Sequence, residues 1–409
     1  MTISRSGSNP PETPRELLLK ILFSQEDEAR AAAVLCTERR CWAEICHESE
    51  VWSVAPQLAE RFGTLSLSPP AEQWKEFQRT VIAVYARSAS RAAKGAKALR
   101  HLNLLGVRAA AFKGLASMAR LYARPADRSI KDVDILIMEQ DVARAVAGLA
   151  GLGFVALDGQ GLETLEGLVE FLPGFSGNKA IVLQNADGLE LDVHWDISVP
   201  LLPAKTLLDR SEPLTLYGGL VPVVALTDAL VLTARHSIRE NLAVDTMCRD
   251  LFDVRRACEL LAGDALSRDL EESCLHGGLL PLLALTGILH SLDEGVSPVA
   301  DAFRILTSRA KPAERKAGRQ LVDTFWFQVR EGKFEKDLVY LSHTRPLRQI
   351  LAGTWRNWRG YRDLMLAIED KLDGGTTSIG VRFWRLAVAA RRAGPGRLRS
   401  LRTLARLRF

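Results

Sequence analysis

The sequence predicts an α+β protein in which a small mixed β-sheet is flanked by helical regions on both sides. In residues 15–102 and 226–373, apolar residues recur every three or four positions, which is the periodicity of helices that bury one face. Between them, in residues 103–225, short apolar runs alternate with helical patterns, as in mixed α/β structure. Six Cys in 409 residues are too few for a disulfide framework, which predicts a reducing, cytoplasmic location.

The N-terminal region is predicted to be helical after a disordered lead. Residues 1–14 are rich in Ser, Pro and other polar residues and form that lead. Apolar residues with helical spacing begin at 17–22, and charged residues occupy the other faces. The Pro69-Pro70 pair divides the region, because proline lacks the backbone N–H that a helix needs. A second helical stretch is therefore predicted over 71–105.

The central region is predicted to contain strands and short helices in alternation. We expect strands at 107–112, 133–138, 179–184 and 189–195, with one or two more within 214–224, and helices at 115–122 and 140–151. The four residues Asn-Ala-Asp-Gly at 185–188 are typical of a turn between paired strands. From residue 226 the pattern is helical again, as far as 373.

The net charge of +5 conceals two opposed parts of the chain. Residues 374–409 contain nine Arg and no acidic residue, so the first 373 residues carry 45 basic and 49 acidic side chains. The Arg-rich segment 381–409 predicts an anionic partner, namely a membrane surface, RNA or an acidic protein. The alternative is a solvated helical pair packed on the body. No apolar stretch approaches the ~18 residues of a membrane span, so any membrane contact would be peripheral.

Two aspartates stand at the start of the apolar run 133–138. Asp132 and Asp134 are separated by one residue, and side chains at i and i+2 of a strand point to the same face. Adjacent carboxylates repel each other, and a divalent cation between them removes that repulsion. Mg²⁺ prefers a few carboxylates together with substrate phosphates. The pair therefore predicts a magnesium site, although such a pair also occurs by chance and a buried Asp can simply cap a loop.

Upstream of this pair, Lys113-Gly114 lies between a predicted strand and a predicted helix. A glycine there lets the backbone approach a ligand closely, and the N–H groups of a helix N-terminus can bind phosphate oxygens. Lys113 adds a positive charge. Arg128, four residues before Asp132, could bind a phosphate in the intervening loop. These features predict a phosphate site beside the carboxylates.

The run Leu-Glu-Leu-Asp-Val-His-Trp at 189–195 supplies a further carboxylate. Asp192 and His194 share one face of this predicted strand, and Glu190 falls on that face too. If the strand lies beside the one with the Asp-x-Asp pair, three carboxylates converge. That is what two-metal phosphoryl or nucleotidyl transfer requires, since one ion binds the triphosphate and the other activates the attacking hydroxyl. The alternative for His194 is a hydrogen-bonded edge-strand residue.

In this order the motifs resemble the uncharacterised nucleotidyltransferase family of the polymerase-β-like superfamily, over residues of about 103–260. The family pattern has a Lys-Gly after a strand, a Tyr-x-x-Pro loop with an Arg, an Asp-Ile-Asp strand and a Leu-Asp-Leu-His-Trp strand. A His and an Asp-Ile/Val pair follow in its helical part. The matching residues here are Lys113-Gly114, Tyr122 to Pro125, Arg128, Asp132-Val133-Asp134, Leu191-Asp192-Val193-His194-Trp195, His236 and Asp253-Val254.

The resemblance implies a nucleotidyltransferase with an NTP as donor and two Mg²⁺ ions, which moves an NMP to a hydroxyl and releases pyrophosphate. Metal binding and catalysis are expected of Asp132, Asp134 and Asp192, nucleotide binding of Lys113, Gly114 and Arg128, and substrate contacts of His194 and His236. Two alternatives remain: a toxin-like enzyme that modifies tRNA or a protein, and a non-catalytic NTP-binding scaffold of a biosynthetic cluster. No residue pattern identifies the acceptor.

Overall fold

The computed structural model describes residues 12–156, 180–197, 202–239, 244–293 and 295–331. Most of the predicted lead and the whole basic segment 374–409 lie outside these ranges. Within them the chain is α+β, as predicted, with a seven-stranded mixed sheet and helices before, within and after it. The predicted domain boundaries stay predictions.

Five helices precede the sheet: α1 (Pro14–Phe23), α2 (Glu26–Glu38), α3 (Trp42–Val51), α4 (Ala55–Leu65) and α5 (Ala71–Leu104). A capping box begins α1, because the Thr13 hydroxyl accepts a hydrogen bond from the Glu16 N–H while the Glu16 carboxylate accepts one from the Thr13 N–H. The Pro69-Pro70 pair immediately precedes α5, which confirms the predicted interruption.

The sheet and its helices follow in the order β1 (Ala109–Ala111), α6 (Lys113–Leu121), β2 (Val133–Ile137), α7 (Val142–Ala150), β3 (Val155–Ala156), β4 (Ala180–Gln184), β5 (Glu190–His194), α8 (Ala204–Asp209), β6 (Glu212–Leu216) and β7 (Gly219–Val223). The strand order across the sheet is β3-β4-β5-β2-β1-β7-β6. The β4–β5 turn is held by the Asn185 side chain, which accepts hydrogen bonds from two backbone N–H groups, as the Asn-Ala-Asp-Gly run predicts.

Six more helices complete the described chain: α9 (Leu226–Arg239), α10 (Val244–Leu260), α11 (Asp264–Leu275), α12 (Leu279–Leu292), α13 (Pro298–Arg309) and α14 (Pro312–Glu331). No helix in the described part of the chain is both long and apolar enough to cross a membrane.

The buried apolar residues form two hydrophobic cores. Helices that precede the sheet in the sequence and helices that follow it share one of these cores. In this core the ring centroids of Phe23 on α1 and Phe252 on α10 lie 4.4 Å apart. The other core consists largely of buried residues of the sheet, α6 and α7. The 34-residue α5 belongs to both, since Phe77 is buried in the helical core and Leu99 in the sheet core. At about 1.5 Å per residue this helix extends for about 50 Å and ties the two cores together.

A close approach of α5 to the sheet fixes the position of β2. A Cβ atom on Gly95 of α5 would lie 2.8 Å from a methyl carbon of Val133, the first residue of β2. Because glycine lacks that atom, the helix backbone packs directly on the strand. The residues on either side of Val133, Asp132 and Asp134, are two of the three predicted metal ligands, so this contact positions the site.

Candidate functional site

The register between β2 and β5 brings two of the predicted metal ligands side by side. The two strands are parallel neighbours, and Asp134 pairs directly with Asp192. Along β5 buried and half-buried residues alternate, with Asp192 and His194 on the less buried face and Val193 on the other. The predicted sharing of one face by Asp192 and His194 is confirmed.

Four side chains converge at this register. The Lys113 ammonium donates to Asp134 Oδ1 over 2.6 Å. His194 Nε2 lies 2.8 Å from Asp192 Oδ2 and 3.3 Å from Asp134 Oδ1. Asp134 is almost completely buried, whereas Asp192 and Lys113 each keep a quarter of their side-chain surface exposed. The cluster is therefore partly accessible to solvent through Asp192 and Lys113.

The three negative or neutral members of this cluster fit a divalent cation. One ligand atom from each of Asp134, Asp192 and His194 lies within 4.8 Å of the other two. His194 Nε2 is buried, yet neither nearby carboxylate oxygen is aligned with it for a hydrogen bond. A buried nitrogen without an aligned partner costs free energy unless another group satisfies it. Carboxylates suit Mg²⁺ or Mn²⁺, and imidazole also suits transition metals.

Lys113 stands in a strained backbone conformation at the first residue of α6. Its φ of 51° is in the left-handed region, which costs a non-glycine residue about 1–3 kcal/mol. In this conformation its ammonium reaches Asp134 and also lies 5.2 Å from the centre of the Phe112 ring. Phe112 in turn meets the His194 ring edge to face at 4.9 Å. Phe112 thus packs against both the Lys113 ammonium and the His194 imidazole.

Opposite charges set the protonation states in the cluster. Burial by itself raises the pKa of Asp134, but the Lys113 charge and the His194 ring outweigh it and lower that pKa to about 2. Burial disfavours the charged form of Lys113, yet Asp134 raises the Lys113 pKa overall. Burial also opposes charge on His194, and the two carboxylates raise the His194 pKa. Asp134 is therefore ionised throughout the physiological pH range.

Asp132 lies at the edge of this cluster. It is exposed, two residues before the buried Asp134, and its negative charge contributes to the raised pKa of Lys113. It does not belong to the group of three ligand atoms that the described residues bring together. Metal binding by Asp132 thus stays a prediction. Glu190, the other carboxylate on the Asp192 face of β5, accepts a hydrogen bond from Gln184 near the β4–β5 turn.

Arg128 lies beneath Gly114 and pairs with α10. Its guanidinium is buried and binds both carboxylate oxygens of Asp253, over 2.6–2.9 Å. The Tyr122 hydroxyl donates to the same carboxylate over 2.9 Å. The Tyr-x-x-Pro loop, Arg128 and the Asp-Val pair of the family pattern thus meet in one network. Its direct effect is to fasten the segment before Asp132 to α10, and phosphate binding by Arg128 stays a prediction.

A second buried carboxylate, not predicted from the sequence, extends this network. Asp250 lies one helical turn before Asp253, 3.7 Å from the Arg128 guanidinium, and accepts a hydrogen bond from Ser237 over 2.6 Å. Burial raises the pKa of Asp250. His236 is half-buried on α9 and interacts electrostatically with Asp250. Its predicted contact with substrate stays a prediction. The spacing of Asp250 and Asp253 on one helix face was the available clue.

We expect Gly114→Ala to destabilise the protein by about 1 kcal/mol, since overpacking costs about 1–3 kcal/mol and better helix propensity returns up to about 1. The new methyl group would lie 3.0 Å from Arg128 Nη1 and 3.1 Å from Ile130 Cγ2. Arg128 cannot move away easily, because Asp253 holds it. Urea denaturation measures the change in unfolding free energy.

Gly63→Ala is the matched control, because Gly63 lies within α4 and a methyl group there meets no atom within 4 Å. This control is expected to keep or slightly raise the unfolding free energy. Equal midpoints for the two variants would contradict the close packing of Gly114 on Arg128.

Comparison with known proteins agrees with the geometry. The model of the family described as uncharacterised nucleotidyltransferase matches residues 38–291, which is more than half of the chain. The match covers the Lys113, Asp134, Asp192 and His194 cluster and the Arg128–Asp253 network. It also begins well before the predicted core, within α2. No curated protein matches the chain. This chain belongs to the uncharacterised nucleotidyltransferase family.

Proposed function

We propose that the protein transfers an NMP from an NTP to a hydroxyl of an acceptor, with Mg²⁺ bound at the carboxylate cluster and pyrophosphate as the second product. The observation that carries this proposal is the pairing of Asp134 with Asp192, with His194 Nε2 and the Lys113 ammonium beside them. Membership of a nucleotidyltransferase family supports the same reaction class. When bound, Mg²⁺ stabilises negative charge on phosphate oxygens and favours ionisation of the attacking hydroxyl.

The residues of the chain have separate roles in this proposal. Asp134 and Asp192 hold the cation, and His194 completes or orients the site. Lys113 binds a phosphate oxygen of the NTP, since its ammonium keeps a quarter of its surface exposed beside the carboxylates. The N-terminus of α6 at Gly114 offers backbone N–H groups to the phosphates. Asp132, which is exposed, adds a ligand once substrate and cation are present.

The donor and the acceptor class can be tested together. Full-length protein is incubated with Mg²⁺, cell extract and each of the four NTPs, labelled in parallel on the α- and on the γ-phosphate. We expect α-label to move onto an extract component while γ-label appears in pyrophosphate, and chelation of Mg²⁺ to stop both. Transfer of γ-label to the component would instead indicate a kinase and contradict the proposal.

Two further outcomes separate the alternative functions. Removal of the label by nuclease or by protease would assign RNA or protein as the acceptor, as a toxin-like enzyme requires. Calorimetric binding of an NTP with Mg²⁺, without pyrophosphate release in any extract, would indicate a non-catalytic scaffold. That result would contradict the proposed reaction but would still support a nucleotide-binding site.

A further inference from the structure

A polar cavity opens beside the segment that leads into the carboxylate cluster. It has a volume of about 260 Å³ and is walled by the α3–α4 turn, by α5 and by the segment 129–131. Small-molecule pockets have volumes of about 300–1,000 Å³, so this cavity has room for a small group and not for a whole nucleotide. Lys131, in its wall, immediately precedes Asp132.

Positive charge dominates the cavity wall. Arg87, Arg91 and Lys131 line it, against the single carboxylate of Glu50 among the described lining residues. Within the described part of the chain, Arg87 and Lys131 make no ion pair or hydrogen bond, whereas Arg91 donates to the Ile130 carbonyl over 2.9 Å. Two cationic groups are therefore available for a ligand, and the third holds the wall in place.

Hydrogen-bond donors complete the wall. The hydroxyl-bearing residues Ser53, Thr80 and Ser129 line it, and so do Ala55 and Pro56 at the start of α4, a helix without a side-chain cap at its N-terminus. Pro56 has no N–H, so only Ala55 of these two carries a backbone donor, and the positive end of the helix dipole adds to its attraction for an anion. Donors on several sides match the many acceptor oxygens of a phosphate better than the two of a carboxylate. The excess of two positive charges matches a phosphate dianion.

We propose that this cavity binds a phosphate group of the acceptor substrate, so that the acceptor is a phosphorylated molecule. The inference rests on the proposed nucleotidyl transfer and names the class of its acceptor. Asp134 is the third residue after Lys131, which limits the distance between their Cα atoms to about 11 Å. In this proposal the acceptor extends from that phosphate past Asp132, so that its hydroxyl reaches the carboxylate cluster.

Direct binding of inorganic phosphate to the full chain, followed by ³¹P NMR without Mg²⁺ or NTP, tests the cavity. The double variant R87Q/K131Q is expected to raise the phosphate dissociation constant at least tenfold. The matched double variant K75Q/R79Q removes the same charge from exposed positions of α5 outside the cavity and should leave it unchanged. Equal binding by wild type and R87Q/K131Q would overturn the proposal.

A second arm distinguishes the acceptor phosphate from a phosphate of the NTP. Binding of Mg²⁺-NTP, measured by calorimetry, should be unchanged in R87Q/K131Q. If NTP affinity falls as much as phosphate affinity, the cavity holds the donor and the acceptor assignment is wrong. Asp134→Asn should still bind inorganic phosphate, because Asp134 does not line the cavity. Phosphate binding without pyrophosphate release from any NTP would leave the phosphate site standing and reject the proposed reaction.

Discussion

Replacing Asp134 with asparagine is expected to abolish nucleotide transfer while the protein stays folded. Asp134 is the most buried member of the cluster and the one that meets both Lys113 and His194. Asparagine has nearly the same shape but no negative charge. It therefore weakens cation binding and removes the negative charge that faces the Lys113 ammonium.

The expected decrease in rate follows from the contribution of the metal ion that Asp134 helps to bind. A bound metal ion contributes several kcal/mol of transition-state stabilisation. Since about 1.4 kcal/mol corresponds to a tenfold change in rate, loss of that contribution predicts a decrease of about a thousandfold or more. Pyrophosphate release measures the rate, and circular dichroism checks that the variant has folded.

Asp209→Asn is the matched control for this prediction. Asp209 ends α8, is exposed, and pairs with Lys205 and Arg108 on the surface. The same chemical change there should leave pyrophosphate release unchanged. A folded Asp134→Asn variant with the activity of the control would show that the reaction takes place elsewhere in the protein.

Local sequence patterns predicted most of the sheet, because each strand of the site carries its own signal. The alternation of apolar and polar residues at 189–195 placed Asp192 and His194 on one face, and the structure agrees. The same rule suggested that Asp132 and Asp134 are equivalent. They are not, since β2 begins at Val133 and is buried along its whole length, so that Asp134 is enclosed and Asp132 is exposed.

Contacts between distant parts of the chain were beyond such patterns. Periodicity predicted helices before and after the sheet in the sequence, but it did not predict that α1 and α10 share one core. A helical repeat shows that one face of a helix is buried and does not show which helix covers that face. Arg128 illustrates the same limit. Its position near Asp132 suggested a phosphate ligand, while the carboxylate that holds it lies 125 residues away on α10.

We expect Arg128→Met to lower the unfolding free energy by about 3–5 kcal/mol, the range for removal of one partner from a buried ion pair. The change leaves the Asp253 carboxylate buried, with the Tyr122 hydroxyl as its remaining close donor. Asp250 lies nearby and adds negative charge. Urea denaturation of the full chain measures the loss.

Two further variants separate the ion pair from the loss of a single arginine. Arg124→Met removes an exposed arginine from the same loop. Because the only ion pair of Arg124 among the described residues is with the nearby Asp127, this change should leave the urea midpoint nearly unchanged. The double variant Arg128→Met/Asp253→Leu replaces both charges with apolar groups and should be more stable than Arg128→Met alone. If the double variant is instead the less stable, Asp253 stabilises the fold through partners other than Arg128, such as the Tyr122 hydroxyl. If Arg128→Met unfolds like the control, its guanidinium does not hold the loop to α10, and a direct phosphate contact becomes the better account of this residue.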